Sequence, residues 1–155
     1  MDTWTRSGSK IIDSRTKLMY ILFDGNWDKP EIEISDSSQG LIKMGQLLAS
    51  ISKDFKLYAD KEDSEFYAEN LELVSMRLSP SRKGEQLDLL KTFIFNNELV
   101  FEGSQLAFHN LGRSLLNYFS EDSKKGNHFH LDYIEGYSLL LAPTNCHLIF
   151  MSRGQ

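Results

Sequence analysis

Two stretches of this chain, 67 positions apart, carry the same pattern. Ile32 aligns with Leu99, Ile34 with Phe101, Ser37 with Ser104, Leu41 with Phe108 and Met44 with Leu111. Gly45 then aligns with Gly112, Leu48 with Leu115 and Ile51 with Tyr118. The shared sense is a strand, a serine, and an amphipathic helix with a glycine beside its apolar stripe. A glycine inside a helix costs about 1 kcal/mol relative to alanine. Two at equivalent places point to a packing reason, such as close approach of helix to sheet, and to internal pseudo-symmetry. The plainer reading is that any strand followed by an amphipathic helix aligns this way.

The elements around this repeat follow from periodicity and turn chemistry. Leu18–Phe23 is a short apolar run closed by Asp24-Gly25-Asn26, the pattern of a buried strand. Glu31–Ser35 alternates polar and apolar and fits a half-buried strand paired with the first. Ser37 or Ser38 can cap a helix over 39–52, and Leu41, Met44, Leu48 and Ile51 form its stripe. Residues 60–70 read as a polar loop or short helical turn, and the segment from Leu71 to Leu78 as a strand. Ser79-Pro80-Ser81-Arg82-Lys83-Gly84 punctuates the chain as a linker. A hairpin follows over Leu89–Phe95 and Glu98–Glu102. Its turn, Asn96-Asn97, suits the positive φ angles of a two-residue connection. A second helix is predicted over 105–119, and strands over 128–134 and 147–152. Two helices with single apolar stripes, flanked by runs of strands, predict an α+β fold: one mainly antiparallel sheet of six to seven strands with both helices on one face. Residues 1–17 read as a polar leader and 18–155 as one domain.

At 155 residues the chain suits a single domain. It carries 17 Lys+Arg against 22 Asp+Glu, a net charge of -5. That balance argues against a general nucleic-acid or anionic-membrane binder, since both need a cationic face. Between 60 and 72, Asp60, Glu62, Asp63, Glu65, Glu69 and Glu72 oppose Lys61 alone, so the whole excess resides there. A solvated loop explains the run simply. The functional alternative is a docking surface for a basic protein, in which Phe66 and Tyr67 supply aromatic anchors inside a charged rim. The polar N-terminus has no secretory pattern, and no apolar stretch approaches the roughly 20 residues that span a bilayer. With one cysteine, Cys146, the expectation is a reducing, cytoplasmic setting.

Chemistry-bearing motifs are few. On a strand, His128, His130 and Asp132 share one face, and Phe129, Leu131 and Tyr133 the other. Two imidazoles and a carboxylate in a row are candidate metal ligands, although a half-exposed strand shows the same face. Cys146 and His147 are adjacent and so point to opposite faces, poorly placed for a thiol nucleophile and its base. Glu31 and Glu33 read as a solvated face opposite Ile32 and Ile34. No nucleophile elbow, phosphate-binding glycine loop or dinucleotide fingerprint occurs.

The C-terminal third reads His128-Phe129-His130-Leu131-Asp132-Tyr133, then Glu135-Gly136-Tyr137, Leu141-Ala142-Pro143 and the apolar strand Leu148-Ile149-Phe150. It resembles the ending of small bacterial immunity proteins from polymorphic toxin and contact-dependent growth inhibition systems. The upstream order is similar too, through Glu33-Ile34-Ser35, a helix with Leu41 and Leu48, and Leu99-Val100-Phe101-Glu102-Gly103. The resemblance covers about residues 30–152 and leaves out the leader and the acidic segment. It implies a non-enzymatic cytoplasmic antitoxin without cofactor. Its partner would be a cognate toxin domain, encoded upstream and basic where it docks, whose active site or substrate surface is occluded. The tentative toxin-binding residues are Asp60, Glu62, Asp63, Glu65, Phe66, Tyr67 and Glu69. The alternatives are a metal protein or enzyme built on His128, His130 and Asp132, and an interaction module outside toxin biology.

Overall fold

Both helices start where a serine can cap them. Ser37 Oγ accepts from Gly40 N, and Ser104 Oγ accepts from Ala107 N, which satisfies one orphan amide at each helix start. In the computed structural model, which describes residues 19–80, 88–137 and 139–155 and the backbone of Thr3–Trp4 and Lys10–Ile11, these helices are α1 (Ser38–Ala49) and α2 (Gln105–Tyr118). The strands in chain order are β1 (Thr3–Trp4), β2 (Lys10–Ile11), β3 (Tyr20–Phe23), β4 (Glu31–Asp36), β5 (Phe55–Tyr58), β6 (Glu69–Asn70) and β7 (Leu73–Leu78). After them come β8 (Lys91–Phe95), β9 (Glu98–Gly103), β10 (His128–Leu131) and β11 (His147–Ser152). The β8–β9 turn has Asn96 at φ 52° and Asn97 at φ 63°, the left-handed pair expected of a two-residue hairpin. Beyond the antiparallel pair β1–β2, the expected leader lies outside the described residues, as does the linker from Ser81 to Gly84.

The class is α+β, but the strands divide into two mixed sheets and not one antiparallel sheet. One sheet runs β10-β11-β4-β3-β6 and the other β5-β7-β9-β8. Each contains one parallel pair: β11 beside β4 with His147 opposite Glu31, and β7 beside β9 with Leu73 opposite Glu98. These two pairings are the same pairing seen twice, because Glu31 and Glu98 are equivalent in the repeat. The antiparallel neighbours repeat as well, with β3 on β4, β8 on β9, β10 on β11 and β5 on β7.

The repeat is therefore real, and longer than its sequence signal. Each half is strand–strand–helix–strand–strand: β3-β4-α1-β5-β7, then β8-β9-α2-β10-β11. The last two strands of each half do not join their own first two. They cross to the other half's sheet, which is why one sheet became two and why parallel pairs occur. The halves are stitched like an exchanged dimer held in one chain.

The glycines mark the pseudo-two-fold contact, and it is helix on helix, not helix on sheet. A Cβ on Gly112 would lie 2.6 Å from Gly45 O and 3.0 Å from Ala49 Cα. A Cβ on Gly45 would lie 3.1 Å from Gly112 O and 3.0 Å from Leu116 Cγ. Each glycine thus makes room for the other helix's backbone. Leu41, Met44 and Leu48 of α1 and Phe108, Leu111 and Leu115 of α2 are fully buried in one core with Ile32, Ile34, Leu99, Phe101, Leu148 and Phe150 from the sheets.

Two long connections close the seams between the sheets. The segment from β5 to β7, which includes β6, runs along β3, where Asp60 N donates to Met19 O and Leu71 N to Ile21 O. The β10-to-β11 connection runs along β8, where Leu90 N donates to Leu140 O and Ala142 N to Leu90 O. Both protect strand edges that would otherwise expose unpaired backbone.

Candidate functional site

The pleat sends alternate residues to opposite faces. On the five-stranded sheet, Ile32, Ile34, Leu148 and Phe150 point to the core. The outer face carries Glu31, Glu33 and Ser35 on β4, His147, Ile149 and Met151 on β11, and His128 and His130 on β10. Register places His130 opposite Ile149 and Ile149 opposite Glu33. The acidic connection lies on the β3 side of this face, where Leu22 is buried, and reaches β4 through Glu62, whose partner Arg153 bonds Ser35.

That connection is fixed, not free. Arg153 reaches from just past β11 to form a two-pronged ion pair with Glu62, with Nη1 3.0 Å from Oε2 and Nη2 on Oε1. Its Nε donates to Ser35 Oγ, and its guanidinium lies 4.1 Å from the centre of the Tyr20 ring. Asn70 ties the far end back, donating to Glu62 O and accepting from Glu62 N. Ser64 Oγ accepts from the amides of Phe66 and Tyr67. Of the acidic segment's side chains, Glu62 is therefore spent on holding the connection down, and Asp60 is half-buried where the segment meets β3. Asp63, Glu65 and Glu69 stand in solvent, and Phe66 is 83% exposed.

Tyr67 is half-buried, and its hydroxyl is pushed up to about 12, first by burial and then by the charges of Glu33, Glu31 and Asp24. The Tyr67 hydroxyl therefore lies near the carboxylates of β4 and of the β3–β4 loop. Burial also raises the Glu33 carboxyl, with Arg153 working against the rise and Glu62 adding to it. A carboxyl raised on folding favours the folded state fully below its ordinary value near 4.5, and that benefit is lost as pH climbs through the raised value. Glu33→Gln should therefore raise the melting temperature at pH 7 and lose the gain as pH falls toward about 4. Paired thermal melts across pH check this, and a gain that is flat with pH would contradict it.

A second aromatic belongs to this region, and the acidic-run criterion overlooked it. The β3–β4 loop is built on side-chain-to-backbone bonds: Asp24 Oδ1 accepts from Asn26 N and Glu31 N, and Asn26 Oδ1 from Asp28 N and Lys29 N. At its tip Trp27 is 65% exposed, its ring 5.0 Å from Phe23. The loop abuts the acidic connection, since a Cβ on Gly25 would meet Glu69 Oε2 at 3.3 Å and Ala68 Cβ at 3.9 Å. The signal was present in Asp24-Gly25-Asn26-Trp27-Asp28, an aromatic between carboxylates like Phe66.

The histidine strand is arranged otherwise than a three-ligand row. His128 and His130 meet edge to face at 4.9 Å, but Asp132 turns to His147, with Oδ1 3.1 Å from Nδ1. Among the described residues no group of three or more His, Cys, Asp or Glu is gathered closely enough to hold a metal ion. Cys146 is buried, with a thiol raised by burial, while the neighbouring His147 is exposed on the outer face. No helix among the described residues is long and apolar enough to cross a membrane. No known family, curated protein or solved structure matches this chain.

Proposed function

We propose that this chain is a non-catalytic protein-binding domain that captures a basic partner on the surface formed by the β3–β4 loop and the acidic connection. The observation that carries the reading is that Phe66 and Trp27 are held out in solvent by segments folded on their own hydrogen bonds, with carboxylates around both. Large exposed aromatics on a pre-formed support lose little freedom on binding, the condition under which an anchor contributes most. The surrounding charge speeds encounter and sets orientation. In line with the resemblance of residues 30–152 to immunity proteins, the proposed partner is a toxin domain whose active site or substrate surface this protein occludes.

The division of labour within the acidic segment shapes the test. Asp63→Asn with Glu65→Gln removes exposed charge only, and should slow association with the partner and flatten its salt dependence. Phe66→Ala should weaken binding by about 30-fold or more, the effect of a central anchor worth about 2 kcal/mol. The first experiment is co-purification with the product of the adjacent upstream gene, followed by these variants in a kinetic binding assay. A product that neither binds nor is toxic without this protein would remove the toxin reading. Full-strength binding by the Phe66→Ala and Trp27→Ala variants would move the interface elsewhere.

A further inference from the structure

The pseudo-two-fold makes each half a reference for the other, and it reveals an unequal pair of edges. It maps β5 onto β10, since each pairs antiparallel with the strand that lies parallel to the repeat's central strand. Beside β5 runs the backbone of Lys10–Ile11, with Cα atoms within 8 Å. Beside the outer edge of β10, among the described residues, no strand is paired.

That edge is competent to pair. Ser152 N donates to Asn127 O and Gly126 N to Ser152 O, which sets the alternation of the antiparallel ladder. Residues 127, 129 and 131 then bond to β11, and the amides and carbonyls of His128 and His130 point outward. The strand has none of the devices that blunt an edge, with no proline, lysine or bulge over His128–Leu131. Under it lies an aromatic flank: Phe129 is 5.6 Å from Tyr118, which is itself partly exposed.

We infer that the edge is filled by a second copy of this chain, β10 against β10 antiparallel about a two-fold through Phe129. His128 of one copy then exchanges both backbone bonds with His130 of the other, and two five-stranded sheets become one of ten. Charge fits this arrangement and disfavours a parallel one. Exposed Lys124 and Lys125, behind Glu121 and Asp122, precede the strand and Glu135 follows it, with Asp132 held by His147, so antiparallel pairing sets each copy's lysines toward the other's Glu135 and a parallel one sets lysine on lysine. The contact uses one patch on both copies and closes on itself, so it stops at a dimer.

Sedimentation of the full chain from about 5 to 500 µM tests this, over the range where a small interface with a micromolar dissociation constant is half-formed. The mass should climb from 17.8 kDa toward twice that value. His130→Pro removes only an outward amide, which an edge strand tolerates, and should weaken the dimer at least tenfold with the monomer still folded. Should that variant not fold, Lys124→Glu with Lys125→Glu, both on the surface, should weaken it by a similar factor. A chain that stays monomeric at the highest concentration overturns the inference, as does a dimer undiminished in every folded variant.

Discussion

Divided between Gly84 and Glu85, the chain should give two fragments that are unfolded apart and fold when mixed. Residues up to Gly84 hold β3 and β4 without the parallel neighbour β11, and β5 and β7 without β9. The remainder holds the reciprocal deficit. Neither fragment can bury its helix stripe, since Leu41, Met44 and Leu48 share their core with Phe108, Leu111 and Leu148 from the other side. A half-length chain of this kind also sits near the size at which one core barely suffices. Circular dichroism of each fragment and of their mixture distinguishes the outcomes. A cooperative thermal transition in either fragment alone would show that the exchanged strands are not required.

Gly112→Ala should be among the most damaging single-methyl additions in the molecule. In an exposed helix the change is favourable by about 1 kcal/mol. Here the methyl would meet backbone, at 2.6 Å from Gly45 O and closer still to Ala49 N, and neither can turn aside as a side chain does. The helices must part, and overpacking of this kind costs about 1–3 kcal/mol, or some 2–12 °C in melting temperature for a chain of this size. Gly45→Ala should cost much less, because its nearest atoms are 3.0–3.1 Å away and two of them belong to the Leu116 side chain. Chemical denaturation of both variants checks the inequality. Equal losses would mean that the crossing is not as asymmetric as the two glycines indicate.

Local chemistry was legible in the sequence, and exchange was not. The serine caps, the two stripes and the Asn96–Asn97 turn each depend on a few neighbouring residues, so they could be read before any fold was known. The match of Gly45 with Gly112 exposed the repeat, yet it suggested a helix-to-sheet contact, because nothing local tells a helix what it will touch. The strand β5 escaped notice because Phe55 and Leu57 give only two inward positions, alternating with Lys56 and Tyr58. Partner choice is the larger gap. Glu31-Ile32-Glu33-Ile34 pairs as readily with a strand of its own half as with β11, and that decision is made by the whole core. The same holds at the proposed binding surface. The charge excess of residues 60–72 could be counted, but Glu62 is committed to Arg153, 91 positions away, and no window of sequence contains both.

The position of β11 also sets a schedule. It lies between β10 and β4, so β4 keeps one open side until residues 147–152 exist. At ordinary rates of synthesis, about 5–20 residues per second, the roughly 110 residues between them take about 6–22 s to make. Throughout that interval the alternating segment of β4 has no parallel partner on any nascent chain. A cell that needs this protein quickly therefore has a minimum waiting time written into the strand order, one that faster folding of either half cannot shorten.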